Sequence, residues 1–323
     1  MLRERIYKMK LYHYCGLDKG LSILKYGNIR MSDIAKSNDF AELELFFPEL
    51  HNTILERYVH APFSFRYKKK TDLEAMRELV FESRFFWESK FENGDFANFV
   101  ICFSEEKDCL SQWRGYADDA KGMCLGFSNR ILQKYVDATD GVLTFTKVKY
   151  ISREEVTEII AEYADEILKE LKELRKWIVD EMTHDDEDPN TDGLLGFNFD
   201  GMLSSAFSES LGYKLNHFSS ENEWRIFFTT QAYKQPEWVY RKSKEPFSGP
   251  KLFPETLAFL NNRIDFRWTN DDLIPYCPLL FEDFDDVPVK EVWLGPKCHV
   301  NTVDMKLFLK KANYPEVDRK SVV

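Results

Sequence analysis

The sequence predicts an α+β fold, and three observations carry that prediction. The run Phe99 to Phe103 and the run MCLGF are apolar on both parities, the pattern of strands covered on both sides. TFTKVKYI (residues 144–151) alternates, as a strand with one wetter face does. Between Glu154 and Asp180, Val156, Ile160, Tyr163, Ile167, Leu171, Leu174 and Ile178 recur at steps of three and four, which predicts one long amphipathic helix.

In chain order, KLYHYC (10–15) reads as a short strand. It leads into a helix whose Leu17, Leu21 and Leu24 share a face, with Gly27 as its stop. Ile29-Arg30-Met31 is a second short strand. Residues 41–95 read as mostly helical, with loop near Pro48 and Pro62. CLSQWRGYA is expected to form one or two helical turns, and RIFFTT (225–230) and KEVWLGP (290–296) to be strands. VNTVDMKLFLKKANY closes the chain as a helix with Asn301 as N-cap. A chain of 323 residues has room for two domains, yet no repeat and no Gly/Ser linker divides it. The economical expectation is a single domain, 1–323. Its core would come from about 10–40, 97–151 and 214–312, with helical insertions at about 41–95 and 153–213.

Composition narrows the function classes. Apolar residues at 44% and aromatics at 15% exclude disorder as a global description. A net charge of −11 argues against a generic binder of nucleic-acid backbone, and the run Arg66, Lys68, Lys69, Lys70 reads as a solvated loop or helix face. Six cysteines without a CxxC pair imply a reducing compartment. A start charged from its first residues, MLRERIYKMKLYHY, gives no signal sequence or membrane span, so the expectation is a soluble, cytoplasmic protein.

Common phosphate-loop, dinucleotide-fold, zinc-protease and esterase motifs are missing from the sequence. The six histidines lack zinc spacing. The acidic stretch THDDEDPNTDG lacks the glycine and closing glutamate of a calcium loop, so no metal is expected. What remains is a set of polar residues at strand ends: His13, Ser104, Trp113 and Tyr116 at helical spacing, and Glu221, Glu223 and Arg225. In an extended strand, residues two apart face one side, so the last three would line a single patch. Taken alone, ENEWR is more simply a surface ion pair and His13 a satisfied core histidine.

The order of blocks carries more than any one of them. LYHYCGLDKGLSILKYGNIRMSD, SNDFAE, CFSEEKDCLSQWRGYADDAKGMCLGF, ENEWR and VWLGP resemble the successive blocks of a widespread bacterial family of unknown function. That family has a Tyr-His-Tyr-Thr start, an Asn-Asp-Pro-x-Glu segment, a Cys-Phe-Ser strand with a Trp-x-x-Tyr helix, and a late Glu-x-Glu-x-Arg. Cys15 stands where the family usually has Thr, and Phe40 where it has Pro. The block order in turn resembles the ADP-ribosyltransferase superfamily. That resemblance implies a split antiparallel β-sandwich with flanking helices, and NAD as substrate. His13, Ser104 or Tyr116, and Glu221-Asn222-Glu223 occupy the ordinal places of its three site motifs.

Under that resemblance, Glu223 would stabilise positive charge developing on the ribose as nicotinamide leaves, and Glu221 would position or deprotonate the acceptor. His13 would hold a ribose hydroxyl, Tyr116 or Trp113 would stack on nicotinamide, and Arg225 and Arg30 would meet the pyrophosphate. The acceptor is left open among protein, nucleic acid, a small molecule and water. A toxin or phage-defence role would suit such an enzyme. The long helix near 154–180 is open as a contact with a partner or a second copy. Two alternatives stand beside the transferase: a non-catalytic nucleotide-sensing module of the same fold, and a metal-dependent nuclease using Asp39, Glu42, Glu221 and Glu223.

Overall fold

The computed structural model of the chain describes residues 9–36, 46–92, 97–139, 141–182, 189–230, 260, 262–269, 272–315 and 317–321. The SNDFAE block, with Phe40 and the nuclease candidates Asp39 and Glu42, lies outside the described residues. In chain order the elements begin β1 (Lys10–Cys15), α1 (Leu17–Tyr26), β2 (Asn28–Asp33), α2 (Phe46–His60), β3 (Arg66–Tyr67), β4 (Lys70–Thr71) and α3 (Asp72–Glu92). They continue with β5 (Asn98–Ser104), α4 (Leu110–Tyr116), β6 (Met123–Ser128), α5 (Asn129–Asp137), β7 (Thr144–Lys147), β8 (Lys149–Ile151) and α6 (Arg153–Trp177). The rest are α7 (Pro189–Ser210), β9 (Tyr213–Leu215), β10 (Glu223–Thr229), β11 (Asp265–Thr269), β12 (Asp272–Leu280), β13 (Val289–Leu294), α8 (Thr302–Lys311) and β14 (Asp318–Ser321).

The fold is α+β. Two compact units divide the chain: Met1–Ser37, Asn98–Val148 and His217–Val323 form one, and Asn38–Ala97 with Lys149–Asn216 form the other. The second is built from the two segments whose sequence reads as helical insertions.

The first unit carries one sheet in the order β11-β12-β2-β5-β1-β6-β13-β14, with β10 paired to β5 and β7 paired to β10. Its pairs are antiparallel except β13 with β14. Along one edge β5 has two neighbours. It meets β2 at Phe99 and Val100 and β1 at Ser104, so β1 and β2 part from each other beside Cys102.

Register then sorts the side chains, because residues opposite each other in a ladder project to the same side. One row runs Glu223, Ser104, Tyr12, Gly126, Glu291 across five strands. The next row has Trp224 opposite Phe103, and His13 opposite Leu125 and Val292. One face is therefore rich in polar groups. The other holds Leu11, Ile101, Phe103, Leu125, Phe127, Ile226 and Val292, all buried.

Local sequence explains the helix ends. Gly27 takes the left-handed conformation (φ 62) and its N–H reaches the Ile23 carbonyl, closing α1. Asn301 caps α8 by accepting from the Val303 N–H. TFTKVKYI departs from expectation. It breaks at Val148, β7 joining β10 and β8 running parallel to β9, so one alternating run serves two sheets.

In the second unit α6 begins with a full capping box, Ser152 accepting from the Glu155 N–H while the Glu155 carboxylate accepts from the Ser152 N–H. The apolar stripe of α6 is spent inside the unit: Ile160, Ile167, Leu171 and Ile178 are buried, and Tyr163 packs edge-on against Phe46 of α2. The side of α6 that carries the stripe is therefore covered, and Trp177 at its end is exposed. The basic run forms the β3–β4 hairpin, with Lys68 and Lys69 at its left-handed turn and Lys68 and Lys70 paired to Glu82 and Glu78. Among the described residues, no helix is long and apolar enough to cross a membrane.

Candidate functional site

The candidate site forms where β10 begins. Glu221 ends a 3-10 turn (Asn216–Glu221), Asn222 adopts φ 43, and the strand starts at Glu223. Two hydrogen bonds pin this turn to the end of β5: the Ser104 hydroxyl donates to the Glu221 carbonyl (2.6 Å), and the Glu105 N–H donates to the Asn222 carbonyl (2.9 Å). The expectation that Glu221, Glu223 and Arg225 alternate on one strand is thus corrected. Glu223 and Arg225 share a strand face, whereas Glu221 is brought in by the left-handed residue.

Glu223 and Arg225 form a buried ion pair. The Arg225 Nε donates to Glu223 Oε1 at 2.6 Å, and the two residues are 2% and 4% exposed, Arg225 the lower. Such a pair leaves its stronger mark when one partner is lost, because the other is then a buried charge without its counterpart. Glu221 is also buried, and the half-exposed Tyr116 donates to its carboxylate at 3.5 Å.

Helix α4 lies on this polar face because β1 holds it there. The Tyr14 hydroxyl donates to the Glu106 carbonyl (2.6 Å) and accepts from the Cys109 N–H (3.0 Å), while its ring meets Trp113 edge-on at 4.9 Å. Burial raises the Tyr14 phenol well above its ordinary range, so it serves as a neutral hydrogen-bonding post.

The sequence candidates separate into groups. Glu221, Glu223, Arg225, Ser104 and Tyr116 come together. Ser104 is committed on both sides, donating to Glu221 and accepting from the Glu106 N–H, which leaves Tyr116 as the accessible member of the second motif. Trp113 is buried against Tyr14 with its indole N–H on Asp108, so it packs the site instead of offering a stacking surface. Arg225 is paired with Glu223.

His13 is the clearest correction. It stands on the row of Leu125 and Val292, on the face opposite Glu223. Its ring lies edge-on to Phe103, and its Nδ1–H donates to the Cys102 carbonyl (3.0 Å) at the point where β1 and β2 diverge. Burial lowers its pKa, outweighing the raising effect of that carbonyl, and Lys19 adds to the lowering. His13 is half-buried, with its ring nitrogen satisfied by the backbone of β5.

Arg30 is exposed and lies over the Tyr276 ring at 4.3 Å. Glu291, outside the sequence candidates, is buried on the Tyr12 row. It accepts from Lys10 (2.6 Å), the Tyr12 hydroxyl (3.1 Å) and the Trp293 indole N–H (3.0 Å). A glutamate two residues before a tryptophan in KEVWLGP was the available signal. Among the described residues no group of three or more His, Cys, Asp and Glu is arranged to hold a metal ion.

The fold and site define an α+β protein with a buried acidic turn beside a parted pair of strands. Residues 112–226 match the model of a family described as protein of unknown function (DUF2971). The match covers about a third of the chain and includes Trp113, Tyr116, Glu221, Glu223 and Arg225. No curated protein and no solved structure matches the chain.

Proposed function

We propose that the chain transfers ADP-ribose from NAD, with Glu223 as the carboxylate that stabilises the ribosyl cation and Glu221 as the group that handles the acceptor's proton. The observation that supports this most is a turn carrying two buried glutamates two residues apart, Glu221 in contact with the half-exposed Tyr116 and Glu223 held in one orientation by Arg225. A carboxylate held in place and shielded from water acts on a developing cation more strongly than a solvated one. Tyr116 takes the role of contacting the nicotinamide nucleoside, and His13 becomes a residue that sets the strand geometry. The acceptor remains open among protein, nucleic acid, small molecule and water, and a toxin or phage-defence effector in the bacterial cytoplasm fits this chemistry.

The test is release of nicotinamide from labelled NAD in the presence of cell extract. Glu223→Gln is expected to abolish release in a folded protein, and undiminished turnover in that variant would remove Glu223 from the mechanism. The second reading is a non-catalytic nucleotide-sensing module. It is favoured by the closed 2.6 Å contact between Arg225 and Glu223, which leaves the carboxylate little room for a ligand. Its mark is NAD bound at equilibrium and recovered uncleaved.

A further inference from the structure

A second polar group lies on the same face of the sheet, on β2, β12 and β11. Tyr276 is opposite Ser32 on one side and Asp265 on the other, so these three form a row, and Arg30 and Arg267 project to the same face from two residues to either end of it, Arg30 level with Pro278 and Arg267 with Ile274. Arg30 lies flat over Tyr276, and Arg267 reaches across β12 to put its guanidinium 3.4 Å from the Ser32 hydroxyl. The Arg267 Nε is buried and makes no hydrogen bond among the described residues. Burial, followed by the Arg30 charge, pushes the Arg267 pKa down, so two cations are held where each disfavours the other. Asp265 is the acidic neighbour, and its carboxylate already accepts from the Tyr276 hydroxyl (2.7 Å) and the Phe266 N–H (2.8 Å).

Two guanidiniums gathered on one face repel each other unless an anion joins them. One is fixed flat by an aromatic ring, and the other has an N–H directed away from solvent. Guanidinium forks of this kind match the spacing of oxygens on phosphorus. We propose that Arg30 and Arg267, with Ser32, form a subsite for the phosphoryl groups of a small-molecule phosphate ester or diphosphate.

The position adds a constraint. Ser32 is level with Val100 and Glu223 with Ser104, and the two flank β5 on opposite sides, so four residues of rise and two strand spacings put their backbones about 16 Å apart. An extended nucleoside diphosphate sugar crossing β5 obliquely spans that distance with the side chains at each end. Only this identity of the ligand rests on the dinucleotide reading; the oxyanion site stands without it.

Calorimetric titration of the intact chain with pyrophosphate tests the subsite. Wild type is expected to bind saturably. Arg267→Lys and Arg30→Lys keep the charge but lose the fork, and each is expected to weaken binding about tenfold. Glu223→Gln is expected to bind pyrophosphate as wild type does, even where it releases no nicotinamide, which separates this proposal from the catalytic one. Absence of saturable binding by wild type, or wild-type affinity in both lysine variants with unchanged circular dichroism, overturns it. ADP-ribose binding more tightly than pyrophosphate, with the same losses in both variants, would support a ligand that continues toward the acidic turn.

Discussion

Tyr12 and Ser104 are paired where β1 meets β5, and Ser104 is paired in turn with Glu223, so the β1 side chain on the acidic face is Tyr12 and not His13. The consequences can be measured.

His13→Ala is expected to lower stability without changing ligand affinity. It removes the donor to the Cys102 carbonyl, a loss of roughly 1–3 kcal/mol in urea unfolding. Because burial depresses the folded pKa below 6.5, neutral His13 contributes stability above that pH and the contribution disappears as the solution is acidified. The alanine variant should therefore show a shallower loss of stability below pH 6.5 than wild type. Weaker NAD binding at an unchanged unfolding midpoint would return His13 to the ligand site.

Arg225→Met is expected to cost about 3–5 kcal/mol, since it removes the cation that pairs with a buried carboxylate. Combining it with Glu223→Gln should recover much of that loss. A double-mutant cycle in denaturant checks this, and additive single losses would mean that the two side chains are not coupled.

In the second unit, burial raises the Asp200 carboxyl from 3.8 to about 6, against the lowering effect of the Ser83 hydroxyl that donates to it. The folded chain then holds this proton more tightly than the unfolded one, so unfolding free energy falls as pH rises from about 4 to about 6. Asp200→Asn is expected to flatten that slope, by on the order of 2 kcal/mol across the interval. An unchanged slope in the asparagine variant would contradict the assignment.

Gly126→Ala should disturb the far end of the Tyr12 row. A Cβ at position 126 would sit 3.0 Å from the Glu291 Cβ and 3.1 Å from the Tyr12 Cε1, tighter than either neighbour accepts without moving. The expected loss is about 1–3 kcal/mol in thermal unfolding, with the Tyr12 to Glu291 hydrogen bond broken. A variant as stable as wild type would show that β13 gives way at its register shift beside Val289.

Much of the fold was legible because its signals are local. The stripe of α6, the apolar runs of β5 and β6, the left-handed Gly27 and the Asn301 cap are each written within a few residues. Strand pairing is not local. Nothing in KLYHYC states that Tyr12, instead of His13, will share a row with Glu223, since that depends on register against β5 nearly a hundred residues away. The same limit hid Arg267 from view. Its partners Arg30 and Ser32 are on β2, and the apolar run of β12 carries Pro275 and Pro278, which read against a strand inside a sheet. Val148 shows a third limit: TFTKVKYI alternates without interruption, yet its two halves have different partners. At the acidic turn, alternation holds for Glu223 and Arg225 alone, because a turn rather than a strand delivers Glu221.

Asn222 gives the acidic turn an unusual independence. With one residue in the left-handed region between them, the two carboxylates answer to different masters: Glu223 follows the sheet, and Glu221 follows the loop that precedes it. The Ser104 hydroxyl ties the Glu221 backbone to β5 while Arg225 clamps the Glu223 side chain, so position 104 becomes the place where one acid can be moved relative to Tyr116 without releasing the other.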